Sequence, residues 1–502
     1  MSLLLALDLG TESIRAGAFD EHGVLVASAQ ADYPTRFPRP GWAEQSPEDW
    51  WSATLTTLGE ISSQIGDRPI SGVGLATTAS TVAVLDGQGR SLRPALLWMD
   101  ARAHAEAGRT TRVTHPVMRY SGGGDAAEWL VPKAMWLAVN EPRVYAAADR
   151  IVEAVDYLTY RLTGRWVASR MNAVCKWNYS ERDGGFPHDL YAELGVPDLA
   201  AKLPGEVAAV GAPVGTVLPE VMRQAGLRGA PTVAAGGIDA HLSMLSTGAL
   251  ACGDVSVVAG TSVAHVTQID EPVFTPAIWG PYPDALLSGR WLIEGGQISG
   301  GVLLRWAAET LLGRSRDQGP QLIAEASAVA PGSNGLLVLD YLMGNRTPYR
   351  DAKLRGAVLG LTLDSKPAEI YRAAVESVAY GTRNVLQSFS EAGIPVKRIC
   401  ISGGIRHNPL WKQVTADVLG QPIELVTSQN LTLLSGAACA ASAAGLFPDL
   451  VSAAGAFGAE CVTIEPDPAL SSLYTEGFEL YREATAAVTG VSHSLVDRAV
   501  RP

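Results

Sequence analysis

Apolar residues run unbroken from Leu3 to Leu7, and the chain then turns polar and small through Asp8, Gly10, Thr11 and Ser13. A short apolar run bounded by turn residues predicts a strand covered on both faces, with Asp8 where that strand meets solvent. A polar hairpin follows through Arg15, Phe19 and Gly23, and Val24 to Ser28 predicts a third strand. Ser46, Pro47, Glu48 and Asp49 open a helix, because serine caps, proline fits the first turn and acids suit the positive end. Trp51, Leu55, Leu58, Ile61 and Ile65 recur at helical spacing as its buried face. Residues 70–76 and 82–86 read as strands, and helices are expected over 128–140 and 155–162.

The second half repeats the theme. An apolar run from Asp254 enters Gly260, Thr261 and Ser262, and a strand from Lys397 enters Ser402, Gly403 and Gly404. The pattern predicts an α/β chain of duplicated architecture, each half ending a strand in a phosphate-friendly turn, with a nucleotide in the cleft between. Residues 470–487 carry a mixed Glu/Arg face and read as a packing helix, after which the last residues are expected to fray.

A chain of 502 residues exceeds one ordinary core. The expected division is an N-terminal domain over 1–246, a second over 247–465 and a helical tail over 466–502 packed on the second. Hydrophobic residues make up 47% and charged ones 18%, a folded globular composition. A net charge of −12 excludes nucleic-acid or anionic-membrane binding as the main task, since both need basic surface. Five scattered cysteines, none in a Cys-x-x-Cys pair, and histidines without zinc spacing point to a reduced, cytoplasmic protein. The N-terminus does not read as a signal peptide, and no apolar stretch has the length to span a bilayer.

The strand ends are the candidate chemistry. A carboxylate at Asp8 can hold Mg²⁺, largely through water. Gly10 permits a tight turn in which the N–H and hydroxyl groups of Thr11, Glu12 and Ser13 face an anion. Read alone, Asp8 is equally a turn-forming acid of an ordinary hairpin. No Gly-x-x-x-x-Gly-Lys-Ser/Thr occurs, so this is not a P-loop chain, and Gly72 and Gly74 lack the third glycine of a dinucleotide fingerprint.

Taken in order, Asp8 to Thr11, Gly237 to Ala240, Gly260 to Ser262, and Ser402 to Gly404 followed by Asn408 resemble the FGGY carbohydrate kinases. The segments from Gly41 to Trp51, from Leu97 to Arg102, from Gly344 to Pro348 and from Leu433 to Ala438 extend the resemblance over residues 3–447. It implies an α/β fold of two actin-like (ribonuclease-H-like) domains with a nucleotide cleft between them, and transfer of phosphate from ATP to a sugar hydroxyl.

The resemblance also implies roles. Asp239 is the general base that accepts the sugar's proton, where the plain reading of an acid after two glycines is a helix cap. Asp8, with Asp239, organises Mg²⁺. Thr11, Glu12 and Ser13 line the phosphate path with Gly10, and Gly260, Thr261 and Ser262 line it from the second half. Arg15 is either a phosphate fork or a solvated hairpin residue. Gly403, Gly404 and Asn408 take adenine and ribose, and Gly296, Gly300 and Gly301 form a loop opening a helix near the phosphates.

Ala79 and Ser80 occupy the strand end where glycerol kinases carry Arg-Glu and xylulokinases Met-His. Without the Arg-Glu clamp a small triol is poorly fixed. The stretches Glu128 to Leu137 and Val174 to Tyr179 look ribulokinase-like, although the acid some ribulokinases carry near residues 76–77 is absent. The resemblance therefore implies a ketopentose, D-ribulose ahead of D-xylulose, with ribitol, erythritol, L-ribulose and glycerol as alternatives. Trp98, Asp100 and Arg102 are placed at the sugar, Trp98 against C–H groups and Asp100 on hydroxyls. Lys133 is either a further sugar contact or a solvated helix residue. His241 and His265 are read as structural, and Cys175 and Trp177 as packing. Expected partners are sugar, ATP and a second copy in a homodimer, with no nucleic acid and no membrane. Two other classes remain, a non-catalytic sugar sensor and an actin-like ATPase, which ATP turnover with and without ketopentoses separates.

Overall fold

In the computed structural model, residues 2–499 are described, and the chain forms two units. The first comprises Met1–Gly248, Asp270–Leu292 and Gln429–Ala459, the second Ala249–Ile269, Ile293–Ser428 and Glu460–Pro502. The first stretch ends close to the expected boundary, but residues 270–292 and 429–459, assigned by sequence to the second domain, group by contact with the first.

In the first unit the sheet runs Pro213–Thr216, Arg228–Ala234, Pro69–Thr77, Leu3–Leu9, Ser13–Phe19, Leu25–Asp32. Leu3–Leu9 lies inside it, parallel to Pro69–Thr77 and antiparallel to Ser13–Phe19. All seven of its residues are buried, which explains why its sequence is a continuous apolar run and not an alternation. One face packs on helix Pro47–Ile65, whose Trp50, Leu58, Ile61 and Ile65 join the main core with Leu5 and Leu7. Ser46 caps that helix as expected, accepting the Asp49 N–H. The opposite face carries Leu4 and Ala6 into a second cluster with Leu433, Ala437, Ala440 and Phe457. That cluster is why the helix Leu431–Ala443 belongs to this unit.

The other expected elements fall near their sequence positions. The third strand is Leu25–Asp32, and the helices are Leu130–Asn140 and Ala154–Thr163, the second ending on left-handed Gly164. A smaller sheet joins Glu44–Gln45, Ala95–Leu96, Val82–Leu85 and Arg150–Glu153.

The second unit has a sheet in which Trp291–Gln297, Val263–Ile269, Asp254–Ala259, Arg398–Gly403, Ile423–Val426 and Cys461–Ile464 follow one another. Gly296, expected in a loop, lies inside the first of these strands. The tail is the helix Ser471–Ala499, longer than its sequence pattern, and residues 500–502 of the expected tail lie outside the described residues. Tyr474, Phe478 and Tyr481 of this helix pack around Tyr380 of the long helix Pro367–Glu391. Among the described residues no helix is long and apolar enough to cross a membrane.

Candidate active site

Strand register assembles the site of the first unit. Asp8 stands opposite Arg15 on one side and Ala76 on the other, and Gly237 and Ile238 pair with Ala76 and Thr77. The strand ends are therefore level. The chain passes from Ile238 directly into helix Asp239–Thr247, of which half-buried Asp239 is the first residue. Its Oδ1 accepts the Ala240 N–H at 2.6 Å. The glycines before it serve the fold: a Cβ on Gly236 would lie 2.2 Å from the Leu75 carbonyl oxygen, and one on Gly237 2.7 Å from the Met171 sulfur. The first lets the chain pass close to strand Pro69–Thr77, the second close to helix Arg170–Lys176.

Asp8, expected at a solvent-facing strand end, is 1% exposed. Arg15, expected on phosphate or in solvent, bonds the Asp8 carboxylate. Burial pushes the Asp8 carboxyl up, and the Arg15 guanidinium opposes that rise. Asp239 is pushed up to about 7, first by burial and then by the charge of Asp8. Two carboxyls close enough to feel each other, one titrating near neutrality, are the electrostatics of a proton acceptor.

The turn after Asp8 is locked from behind. The Gly10 N–H donates to the Ser13 carbonyl at 3.0 Å, the Tyr33 hydroxyl to the Gly10 carbonyl at 2.6 Å, and Gln45 Nε2 to the Thr11 carbonyl at 2.6 Å. Thr11 and Ser13 stay half-exposed and Glu12 exposed. Trp98, also half-exposed, donates from Nε1 to the Thr11 hydroxyl at 3.0 Å, so the expected sugar and phosphate residues are in contact here.

Ala79 is half-buried beside Ser80, whose φ of 54° is the left-handed region that non-glycine residues rarely occupy. The Ser80 N–H donates to Glu153 at 2.6 Å, and its carbonyl accepts from Lys133 Nζ at 2.6 Å. Lys133 is thus neither a sugar contact nor solvated, the two roles open to it by sequence. It is fully buried, and burial pushes its ammonium down to about 8 against the attraction of Asp100, Glu128 and Glu153.

Asp100 and Arg102 are also revised. Asp100 is fully buried and accepts from the Ala43 N–H at 2.7 Å and from Arg102 Nε and Nη2 at 2.8 and 2.7 Å. Arg102 also pairs with Glu44 at 2.8 Å and stacks over Trp42, 3.7 Å from its ring centroid. Both charges are spent inside the chain, holding the loop that carries Trp98.

The second unit has its own crevice of about 440 Å³, lined by Gly260, Thr261, Gly301, Val302, Leu304, Arg305, Gly404, Asn408 and Trp411. Its floor is made by backbone: the Gly301 N–H donates to the Gly260 carbonyl at 2.8 Å, and the Gly300 N–H to the Thr261 carbonyl at 3.0 Å. A Cβ on Gly301 would sit 2.8 Å from that Gly260 oxygen, so glycine is required. Gly300 precedes the helix Gly301–Trp306, as expected of a loop opening a helix. Ser262 accepts the Gly260 N–H with its carbonyl. Gly403, at φ 95° and with its Cβ position 2.6 Å from the Ala259 carbonyl oxygen, ends its strand next to the lining residue Gly404. Asn408 caps the helix Pro409–Leu419 through the Trp411 N–H and faces Tyr371. Sequence reasoning missed Arg305 and Trp411. Their signal was spacing, four residues after Gly301 and three after Asn408, one helical turn on the same face.

Mg²⁺ fits the first unit's residues in one respect: two carboxyls raised by burial would be relieved by a cation. Among the described residues no group of three or more His, Cys, Asp or Glu collects.

Known proteins resemble this chain over most of its length. Residues 3–246 match the N-terminal domain of the FGGY family of carbohydrate kinases, and residues 255–445 its C-terminal domain. A ribulokinase from Bacillus licheniformis is 30% identical over 518 residues, covering 96% of this chain and 93% of its own. An FGGY carbohydrate kinase domain-containing protein from Xenopus laevis is 30% identical, covering 89% of each. The crystal structure of a xyloylose kinase from Brucella ovis superposes with a TM-score of 0.89 at 26% identity, over 97% of this chain and 100% of that one. With both family domains matched and its strand-end turns in place, the chain belongs to the FGGY family of carbohydrate kinases, phosphotransferases of two actin-like domains.

Proposed function

We propose that this chain uses ATP to phosphorylate the terminal hydroxyl of a ketopentose, D-ribulose ahead of D-xylulose, giving the pentulose 5-phosphate and ADP. The observation that carries the reading is Asp239, half-buried beside Asp8 and titrating at about 7. A sugar hydroxyl is a poor nucleophile at neutral pH, and an aligned carboxylate accepts its proton as it attacks the γ-phosphate. The terminal hydroxyl donates to Asp239. Ala79, Ser80 and the Trp98 ring lie along the sugar, and Thr11 and Ser13 face the phosphate. The nucleotide lies in the second unit's crevice against Gly260, Thr261, Gly404 and Asn408. Asp8, and Asp239 beside it, would hold Mg²⁺, which when bound neutralises phosphate charge.

Small side chains at Ala79 and Ser80 favour an acceptor longer than glycerol, and similarity to a ribulokinase supports placing D-ribulose first. The cysteines and the acidic charge suit a cytoplasmic enzyme, and a homodimer is the assembly to look for by light scattering. A coupled ADP-release screen over D-ribulose, L-ribulose, D-xylulose, L-xylulose, ribitol, erythritol and glycerol is expected to give the highest kcat/KM for D-ribulose. A preference for glycerol would overturn the sugar while leaving the kinase in place. ATP turnover that ignores every one of these acceptors would instead favour an actin-like ATPase.

The pH profile follows from the same group. A base works deprotonated, so kcat/KM is expected to fall tenfold per pH unit below about 7 and to level above it. A flat profile between pH 5 and 8, with folding intact, would remove Asp239 from the proton transfer.

A further inference from the structure

Lys133 projects from the helix Leu130–Asn140 into a fully buried position, where three of its neighbours are backbone carbonyls. Nζ donates to Ser80 and Leu97 at 2.6 Å each, with the Leu96 carbonyl at 3.4 Å. No carboxylate among the described residues pairs with it directly. Burying an ammonium in this way is costly, and an apolar residue would fill the same helix position at less cost. The cost is explained if the ammonium fixes something that packing alone does not.

The two carbonyls it holds belong to two different segments of the sugar side. Ser80 sits at φ 54°, a conformation that persists only where the surroundings over-determine it. Its N–H is gripped by Glu153, which is itself fixed by Trp177 Nε1 at 2.8 Å and Asn172 Nδ2 at 2.7 Å. Its carbonyl is gripped by Lys133, so a buried carboxyl group and a buried amine hold the two ends of one residue. The Leu97 carbonyl shares a planar peptide with the Trp98 nitrogen, so holding one orients the other. Trp98 in turn reaches the Thr11 hydroxyl at 3.0 Å.

We propose that Lys133 is a positioning residue that locks Ser80 and Trp98 at a fixed separation and thereby sets sugar affinity and the choice between epimers. It touches neither sugar nor nucleotide. The proposal rests on the reading of Ala79, Ser80 and Trp98 as sugar contacts. Epimer choice turns on one or two hydroxyl contacts, and such contacts discriminate strongly only while their partners are rigid.

The test compares Lys133→Met, similar in length without donors, with Lys133→Gln, which keeps two. For Lys133→Met the sugar KM is expected to rise ~10-fold or more, and the D-ribulose to D-xylulose ratio of kcat/KM to shrink toward one. The ATP KM is expected to stay within about twofold of wild type. Lys133→Gln is expected to recover part of both sugar effects, a rescue that mere core filling would not give. If Lys133→Met does not fold, Lys133→Gln carries the comparison with wild type. Folded variants with the wild-type sugar KM and epimer ratio would overturn the proposal. So would an equal rise in both KM values, or failure of both variants to fold. Should the acceptor screen select another sugar or polyol, the ketopentose reading falls, and the KM split read on that acceptor still decides the role of Lys133.

Discussion

Asp239→Asn is expected to lower kcat by at least the ~10²–10⁴-fold that a positioned general base contributes, with the protein still folded and still binding ATP. Asparagine keeps the size of the side chain and an oxygen for the Ala240 N–H, so helix Asp239–Thr247 should start where it does now. The crevice proposed for the nucleotide is built from other residues, so nucleotide affinity should change little. What asparagine cannot do is accept the hydroxyl proton. The stability side has a definite sign. The folded Asp239 pKa of about 7 lies above the ordinary carboxyl value of 3.8, so the native state binds the proton more tightly than the unfolded chain. Wild-type stability therefore declines as pH rises from about 4 through 7. The amide removes that decline, and above pH 7 the variant should melt no lower than wild type. ADP release with the preferred acceptor and a melt at pH 8 check both parts. Turnover near wild type would end the assignment of Asp239 as base.

The parts legible in the sequence were those whose cause is local. Leu3–Leu9 was legible because a doubly covered strand must be apolar throughout, and helix Pro47–Ile65 because Ser46, Pro47, Glu48 and Asp49 all act within one turn. The Gly-Thr-Ser turn at 260–262 was legible for the same reason. What failed depends on distant partners. Asp100 looks like a free acceptor until Ala43, 57 residues away, takes one of its oxygens. Lys133 looks like a surface residue until its helix is seen to be buried all round its first two turns, with Ser80, 53 residues away, at its tip. Arg15 looks ready for phosphate because sequence cannot show that hairpin register sets it opposite Asp8. Gly72 and Gly74 read only as a broken dinucleotide fingerprint, because the helix that needs them begins more than 350 residues later.

Gly74→Ala is expected to destabilise the first unit by about 3 kcal/mol or more, the upper end of overpacking. Helix Leu431–Ala443 lies on strand Pro69–Thr77 with Gly436 over Gly74 and Ala440 over Gly72. The spacing matches: four helical residues rise about 6 Å, and two strand residues about 6.6 Å. A Cβ on Gly74 would stand 1.8 Å from the Gly436 carbonyl oxygen and 2.6 Å from its carbon, and one on Gly72 2.5 Å from the Ala440 oxygen. These are backbone atoms, so no side chain can turn aside, and the whole helix must lift. Lifting it opens the cluster of Leu4, Ala6, Leu433, Ala437 and Phe457. The strand it leaves carries Ala76 and Thr77, whose register sets Asp8 level with Gly237, two residues before Asp239, so activity should fall with stability. A melting temperature lower by about 5 °C or more is the expected reading for a unit of this size. Gly59→Ala provides the opposite sign in the same protein. Gly59 is exposed within helix Pro47–Ile65 with nothing within 4 Å of its added Cβ, so alanine there should stabilise by about 0.5–1 kcal/mol. If both variants melted together with wild type, close backbone packing at Gly74 would not be what holds the helix to the sheet.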